Sequence, residues 1–318
     1  MPRLILAFML VMLGCSSFAA DFPDQAVRII VPTPPGGSSD ALARILSAKL
    51  QELWGQPVIV ETKSGQQGSI GIAYALKQKP DGYTIATLPM GATVINPFLY
   101  DNVGYRTPED LAPLARVSEQ SFIWVANPNV PVQTLKELEA LARSKPGALT
   151  YASTGAAPQI VGEYFKTLTK TDMLHIRYPG AGPALIAVMS GTTDFLIASP
   201  SSVLQHIKSG KLRAIAIIGK ERNPSVPDVP SAVESGFPQL SDLTEWSGYA
   251  LPANTPPEIV RKINADFAKA LADPAVQASI RNLGMTPAHM TPETFGKLIN
   301  SDLDRWGKLV QLTDIKKE

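Results

Sequence analysis

The sequence predicts an α/β protein of two lobes, each a mostly parallel sheet flanked by helices. Three observations carry this. The chain has 318 residues, more than one compact domain usually holds, which favours two cores of roughly 120–170 residues each. Past residue 21 it repeats one unit: a short apolar strand, a Gly-rich turn, an amphipathic helix. The unit then restarts near mid-chain, and strands alternating with helices of this length specify parallel sheets covered on both faces. A hydrophobic content of 45% with 18% charged residues is enough apolar material for two such cores.

The first unit is Val27 to Thr33 as strand, Pro34-Pro35-Gly36-Gly37-Ser38-Ser39 as turn, and a helix from about Asp40 to Trp54. In that helix Leu42, Ile45, Leu46, Leu50 and Leu53 recur every three or four residues, which makes one apolar face. The second runs from Val58 to Glu61, turns through Ser64 to Gly68 and starts a helix near Ser69. A third strand, Tyr83 to Leu88, follows the turn signal Pro80-Asp81-Gly82. The restart places strands at 121–126, 149–152, 174–178, 194–198 and 213–218, with helices at 135–144, at 159–168 and up to Met189. Late in the chain 248–251 reads as a strand, and 258–272 and 293–312 as a helical pair too small to stand alone. That pair is expected to pack back on the first lobe, so the chain crosses twice, near 121–127 and 243–252. This gives residues 21–122 with 247–318 as lobe 1 and 123–246 as lobe 2, with hinges near Asn127 and 243–246.

Residues 1–20 stand apart. Arg3, an apolar run from Leu4 to Leu13 and small residues after it form the layout of a secretory signal peptide. The run is about ten residues, against the roughly 20 a bilayer-spanning helix needs. Cleavage after Ala19 or Ala20 would start the mature chain near Asp21. Alternatively Gly14-Cys15 is a lipoprotein site with lipid on Cys15, although Met12 and Leu13 are unusual before such a cysteine. Losing Arg3 from the 29 basic residues leaves 28 against 28 acidic, a balance that recruits neither nucleic acid nor an anionic membrane. Cys15 is the only cysteine, so the mature chain has no disulfide and no thiolate site.

Four turns carry the functional signal. In open α/β sheets ligands sit beyond the carboxyl ends of the strands, where helix starts offer unpaired N–H groups and a positive dipole end. Gly36-Gly37, Gly65 with Gly68, Gly155, and Gly180 with Gly182 all stand there. A single glycine needs no more than a tight turn to explain it; two such turns in each half point to an anion-binding cleft between lobes. Enzymatic motifs fail. Gly180-Ala181-Gly182 opens like a dinucleotide fingerprint, but Leu185 stands where Gly or Ala is required and Pro183 removes an N–H. There is no phosphate-binding loop and no Gly-x-Ser-x-Gly turn. His175, His206 and His289 lack metal-ligand spacing, and His175 reads as a core or second-layer residue in a strand. Asp302 and Asp304, two apart on a helix, read as solvated surface. No catalytic residue, metal or cofactor is therefore expected, and binding is favoured over catalysis.

With these motifs in place, the chain resembles the substrate-binding proteins of tripartite tricarboxylate transporters, the Bug-type periplasmic receptors. The likeness rests on Arg28-Ile29-Ile30-Val31-Pro32 with Pro35-Gly36-Gly37, Asp40 and Ala43-Arg44. It continues through Pro80-Asp81-Gly82-Tyr83-Thr84, Asn96-Pro97 with Leu99-Tyr100, then Tyr178, Gly180, Gly182-Pro183-Ala184, Ser190-Gly191 and Asp194. Pro227-Asp228-Val229-Pro230, Glu234-Ser235-Gly236, Trp246 and Ala253-Asn254-Thr255-Pro256 complete it. The resemblance implies a type II-like Venus-flytrap periplasmic binding protein with two crossover strands. It implies a periplasmic monomer that binds a small organic carboxylate and delivers it to membrane transporter subunits; a sensor partner is the alternative, and an enzyme on this scaffold the remote one. Carried over by position, the ligand turns are Thr33, Pro35, Gly36, Gly37 and Ser38, then Gln66, Gln67 and Gly68, with ordered water helping the backbone. Across the cleft stand Ser153, Thr154, Gly155 and Ala156, then Tyr178, Gly180 and Ala181. The departures fall in these turns: Thr33 replaces an aromatic, 63–68 replaces Arg-Pro-Gly-Ala-Gly-Gly, and 177–180 replaces Pro-Tyr-Lys-Gly. Two added glutamines imply a ligand more polar than a plain dicarboxylate, or differently shaped beyond its carboxylate.

Overall fold

The computed structural model describes residues 22–313, 315 and 317, so the expected signal peptide and Cys15 lie outside the described residues. Strands β1 (Val27–Val31), β2 (Val58–Thr62), β3 (Thr84–Pro89) and β4 (Leu111–Gln120) belong to a first, six-stranded sheet. Helices α1 (Ser38–Trp54), α2 (Ser69–Leu76) and α3 (Asn96–Leu99) lie between them, with a π-helical turn at Gly91–Ile95. A second, five-stranded sheet holds β5 (Phe122–Ala126), β6 (Thr150–Ser153), β7 (Leu174–Arg177), β8 (Phe195–Ala198) and β9 (Arg213–Ile218). Its helices are α4 (Leu135–Ser144), α5 (Ala156–Thr169), α6 (Ala181–Ser190) and α7 (Pro200–Lys208). The chain returns through β10 (Glu245–Pro252) and ends with α8 (Pro257–Ala272), α9 (Pro274–Asn282), β11 (Thr286–Pro287) and α10 (Pro292–Leu312).

Both sheets are mixed where mostly parallel ones were expected. β1, β2 and β3 pair in parallel, but β10 runs antiparallel to β3 and β4. In the second sheet β6, β7 and β8 are parallel, and β5 runs antiparallel to β8 and β9. The cause is the double crossing. Strands that end at the cleft point towards it, so a strand entering a lobe from the cleft must run the opposite way.

Period-two alternation splits each strand between two cores. Ile29 and Val31 pack with Leu42, Leu46 and Leu50 of α1 on the outer side of the first sheet, whereas Ile30 faces the inner core. Phe122 and Trp124 likewise face that inner core, while Ile123 and Val125 face the outer side of the second sheet. The inner core is continuous through both lobes. It joins Trp124, edge-on to Phe165 at 5.0 Å, to Trp246, edge-on to Phe295 at 5.0 Å.

The late helices number three, not two, because Asp273 caps a new helix by accepting from the N–H groups of Ala275 and Val276. They do pack back on the first lobe, and α10 also reaches α5 of the second. β4 escaped the sequence reading because Pro113, Arg116 and Glu119 interrupt its alternation, and its register with β10 shifts twice. Only Ser121 separates β4 from β5. Asn127, expected near a hinge, stands at the far end of β5 and is bonded inside the second lobe to Asp194 and Val188. Asp302, read as surface, is buried at 2% exposure. Its carboxylate accepts from Trp246 Nε1 at 2.6 Å and from Arg305 at 2.8 Å. The helix turns it inward because Trp246 needs an acceptor there, and burial pushes its pKa up.

Candidate functional site

The carboxyl ends of β1, β2 and β3 form one edge, and it faces the start of α5 in the second lobe. After β1 the chain makes the turn Thr33 to Ser38. Asp40 shapes it: its carboxylate accepts from Gly36 N at 3.0 Å and from Arg44 Nε at 3.1 Å. Burial works to raise the Asp40 pKa, but Arg44 and the Gly36 N–H outweigh it and hold it below the usual carboxylate range.

The turn after β2 is strained. Gly65, Gln66, Gln67 and Gly68 all have positive φ, at 141°, 44°, 49° and 100°, and a left-handed non-glycine residue costs about 1–2 kcal/mol. Asn96 holds it: Nδ2 donates to Ser69 Oγ at 2.9 Å and to the carbonyls of Gln67 and Gln66 at 3.3 and 3.4 Å. The two glutamines then part. Gln66 is exposed and donates to the Asn102 carbonyl at 3.1 Å, so its side chain lies over an outer groove with Ile70 and Tyr74. Gln67 instead buries both amide atoms with no partner; Asn96 Oδ1 on the residue that holds the turn, and Thr33 Oγ1 on the turn after β1, are buried and unpaired as well. Gly71 locks the first two turns together. A Cβ there would stand 2.4 Å from the Lys63 carbonyl oxygen and 2.6 Å from Pro32 Cα.

The third turn, Gly91–Ile95, was not foreseen. It abuts the second, since a Cβ on Gly68 would meet Ala92 at 3.1 Å, and it touches the second lobe, where a Cβ on Gly91 would lie 3.6 Å from Ala157 N. The rule that singled out the other turns, a glycine just past a strand end, applies to Gly91 too. Asn96 was noticed only as half of a motif; its role is to hold the strained turn.

In the second lobe Ser153 ends β6 and Gly155 caps α5, so Ala156 and Ala157 begin that helix against the first lobe. Ser153 Oγ lies 2.7 Å from His175 Nε2, and Thr154 is half-buried beside it. Tyr178 is bonded within its own lobe, its hydroxyl 3.0 Å from Thr193 Oγ1. Gly180 caps α6, and Ala181 starts it. Arg177 bridges the lobes, reaching Gln159 Oε1 of α5 at 3.1 Å and the Tyr100 hydroxyl of the first lobe at 3.5 Å. Pro35, Gly36 and Gly180 therefore contribute backbone at the rim, while Thr33, Gln67, Gly68, Ser153 and Ala156 are the better enclosed members. Helix starts from both lobes and unpaired polar atoms meet here, which suits a small anion with polar substituents.

Two titrating groups give this architecture a pH signature. Burial, then the charges of Arg177 and Lys166, lowers the His175 pKa from 6.5 to about 4. Glu245 stands at the second crossing, accepts from Gln120 Nε2 at 2.8 Å, and is half-buried as a residue; its carboxyl is walled by protein, which pushes its pKa from 4.5 up to about 7. The signs oppose. Unfolded His175 binds the extra proton, so its contribution is complete above 6.5 and is lost as pH falls towards 4. Folded Glu245 keeps its proton longer, so its contribution is complete below 4.5 and is lost as pH rises towards 7. Between about pH 4.5 and 6.5 the two slopes, each at most about 1.4 kcal/mol per pH unit, offset one another. Thermal melts should show His175→Gln losing stability with rising pH in that window and Glu245→Gln gaining it. Parallel profiles for both variants would refute the assignment.

A family description, "Tripartite tricarboxylate transporter family receptor", matches residues 42–315. BugT of Bordetella pertussis is 33% identical over 301 residues, covering 94% of this chain and 92% of BugT. Among solved structures, "R. palustris Rpa4515 with adipate" is 26% identical with a TM-score of 0.88, covering 93% of this chain and all of that one. "MatC (Rpa3494) from Rhodopseudomonas palustris with bound malate" is 29% identical with a TM-score of 0.83, covering 91% of this chain and all of that one. Among the described residues no helix is long and apolar enough to cross a membrane. With two mixed sheets, a double crossing and a cleft built from strand-end turns, this chain belongs to the tripartite tricarboxylate transporter receptor family, a family of periplasmic solute-binding proteins.

Proposed function

We propose that this chain captures a small carboxylate between its lobes and presents it, chemically unchanged, to the membrane subunits of a tripartite tricarboxylate transporter. One observation carries the reading: three strand-end turns of the first lobe pack side by side with unpaired polar atoms, and the third of them, Gly91–Ile95, abuts the start of α5 in the second lobe. Adipate and malate on two structural relatives supply the ligand class. The expected site residues follow with altered weight. Thr33 to Ser38, Gln67, Gly68, Ser153 to Ala156 and Tyr178 to Ala181 form the ligand turns, Gln66 stands outside, and Gly91 and Asn96 join as supports. In this reading the lobes divide at Ser121 and Thr244, between β4 and β5 and just before β10, and closure pivots there. Export through residues 1–20, with release into the periplasm, and a monomeric state complete the reading. The Ser153–His175 pair serves binding: burial keeps the imidazole neutral, and Ser153 is fully buried.

The test is a thermal-shift screen of small mono- and dicarboxylates with product analysis of the same samples. A cognate acid at about 100 times its Kd should add about 2.7 kcal/mol of stability and be recovered unaltered. No shift with any carboxylate, or a converted ligand, would overturn the reading.

A further inference from the structure

Gln67 asks more of a ligand than a dicarboxylate can give. Its amide lies in the turn beyond β2, next to the Ala92 turn that meets α5, and both Nε2 and Oε1 are buried without a partner. Whichever way the amide is turned, one buried donor and one buried acceptor are left over. The neighbours do not supply the missing partners. Asn96 spends its Nδ2 on Ser69 and the turn carbonyls, Gln66 is engaged with Asn102, and Lys63 lies over the Tyr74 ring, 5.1 Å from its centre. Such a pair is rare in folded proteins because each unmade bond is costly.

We propose that Gln67 selects a monocarboxylate whose far end is a primary carboxamide. The inference rests on the carboxylate-receptor reading and names the group at the ligand's other end. A carboxylate opposite Gln67 only accepts, so it bonds Nε2 and sets its lone pairs against Oε1. A hydroxyl is one atom and meets one of the two amide atoms well. A carboxamide offers a donor and an acceptor at the same spacing, and pairs with both in a reciprocal two-bond contact. It also adds no second charge to a site whose unpaired groups here are neutral. Thr33 Oγ1, on the adjoining turn, is a further buried and unpaired neutral group.

Calorimetry with matched pairs of one length tests this: succinate with succinamate, glutarate with glutaramate, adipate with adipamate. At the length that fits, the half-amide should bind roughly 10- to 100-fold more tightly than the diacid, the price of one buried group left unpaired. Gln67→Gly accepts the positive φ without strain and should bring the ratio near one without lowering the melting temperature. A half-amide no tighter than its diacid at every length, or a preference that survives Gln67→Gly, overturns the inference while leaving the receptor reading intact. If neither the diacids nor the half-amides bind, while other carboxylates do, the inference again falls alone. If no carboxylate of any kind binds, the receptor reading falls and takes the inference with it.

Discussion

Gly71→Ala is expected to lower stability by about 3 kcal/mol and to weaken ligand binding at least about tenfold. A single methyl group has this effect because of what it meets. Its Cβ would sit 2.4 Å from the Lys63 carbonyl oxygen and 2.6 Å from Pro32 Cα, and both are backbone, which cannot rotate aside like a side chain. Overpacking of this kind forces backbone shifts and typically costs 1–3 kcal/mol, occasionally more. The atoms that must move belong to the two ligand turns of the first lobe: Pro32 leads into Thr33, and Lys63 leads into the strained 65–68 segment. Binding and stability should therefore fall together. Gly182→Ala is the control, since nothing lies within 4 Å of its Cβ position; it should be neutral or slightly stabilising. Differential scanning and calorimetry on both variants decide the matter. Equal effects from the two substitutions would show that the close approach at Gly71 carries no special weight.

Asp302→Ala is expected to cost about 2–4 kcal/mol and to lower the melting temperature by roughly 3–6 °C. Asp302 is buried, with Trp246 Nε1 at 2.6 Å and Arg305 at 2.8 Å. Removing it strands the buried indole N–H, at 4% residue exposure, and releases a guanidinium from its partner. Asp302→Asn keeps an acceptor for Trp246 and should cost at most about half as much. The consequence reaches function because Trp246 is the second residue of β10, immediately past the crossing where the lobes pivot. A looser β10 should lower affinity as well as stability. Asn and Ala variants with equal melting temperatures would contradict the role given to the Trp246 hydrogen bond.

Much of this molecule is legible in its sequence, for stated reasons. Ile29, Ile30 and Val31 announce a strand buried on both faces, and the spacing of Leu42, Leu46 and Leu50 gives its covering helix. The strand-end turns at 33–38, 65–68, 153–156 and 178–181 followed from glycine placement. Three things were not legible. The antiparallel β5 and β10 depend on which way a chain enters a lobe, which periodicity does not record. Asp302 turns inward because Trp246, 56 residues away in sequence, needs an acceptor, a tertiary fact no helical pattern contains. Gln66 and Gln67 are alike in type and adjacent in sequence, yet the left-handed turn sends one outward to Asn102 and buries the other. Backbone dihedrals decide that, not composition.

The central claim is that the converging turns of the two lobes enclose a carboxylate. A crystal structure of the protein with the acid or half-amide that stabilises it most is the most direct measurement. The carboxylate is expected within hydrogen-bond distance of the backbone N–H groups at 33–38 and at 155–157, with Gln67 on the ligand's other end. A ligand seated elsewhere, such as the outer groove between Gln66 and Tyr74, with these turns unchanged, would contradict it.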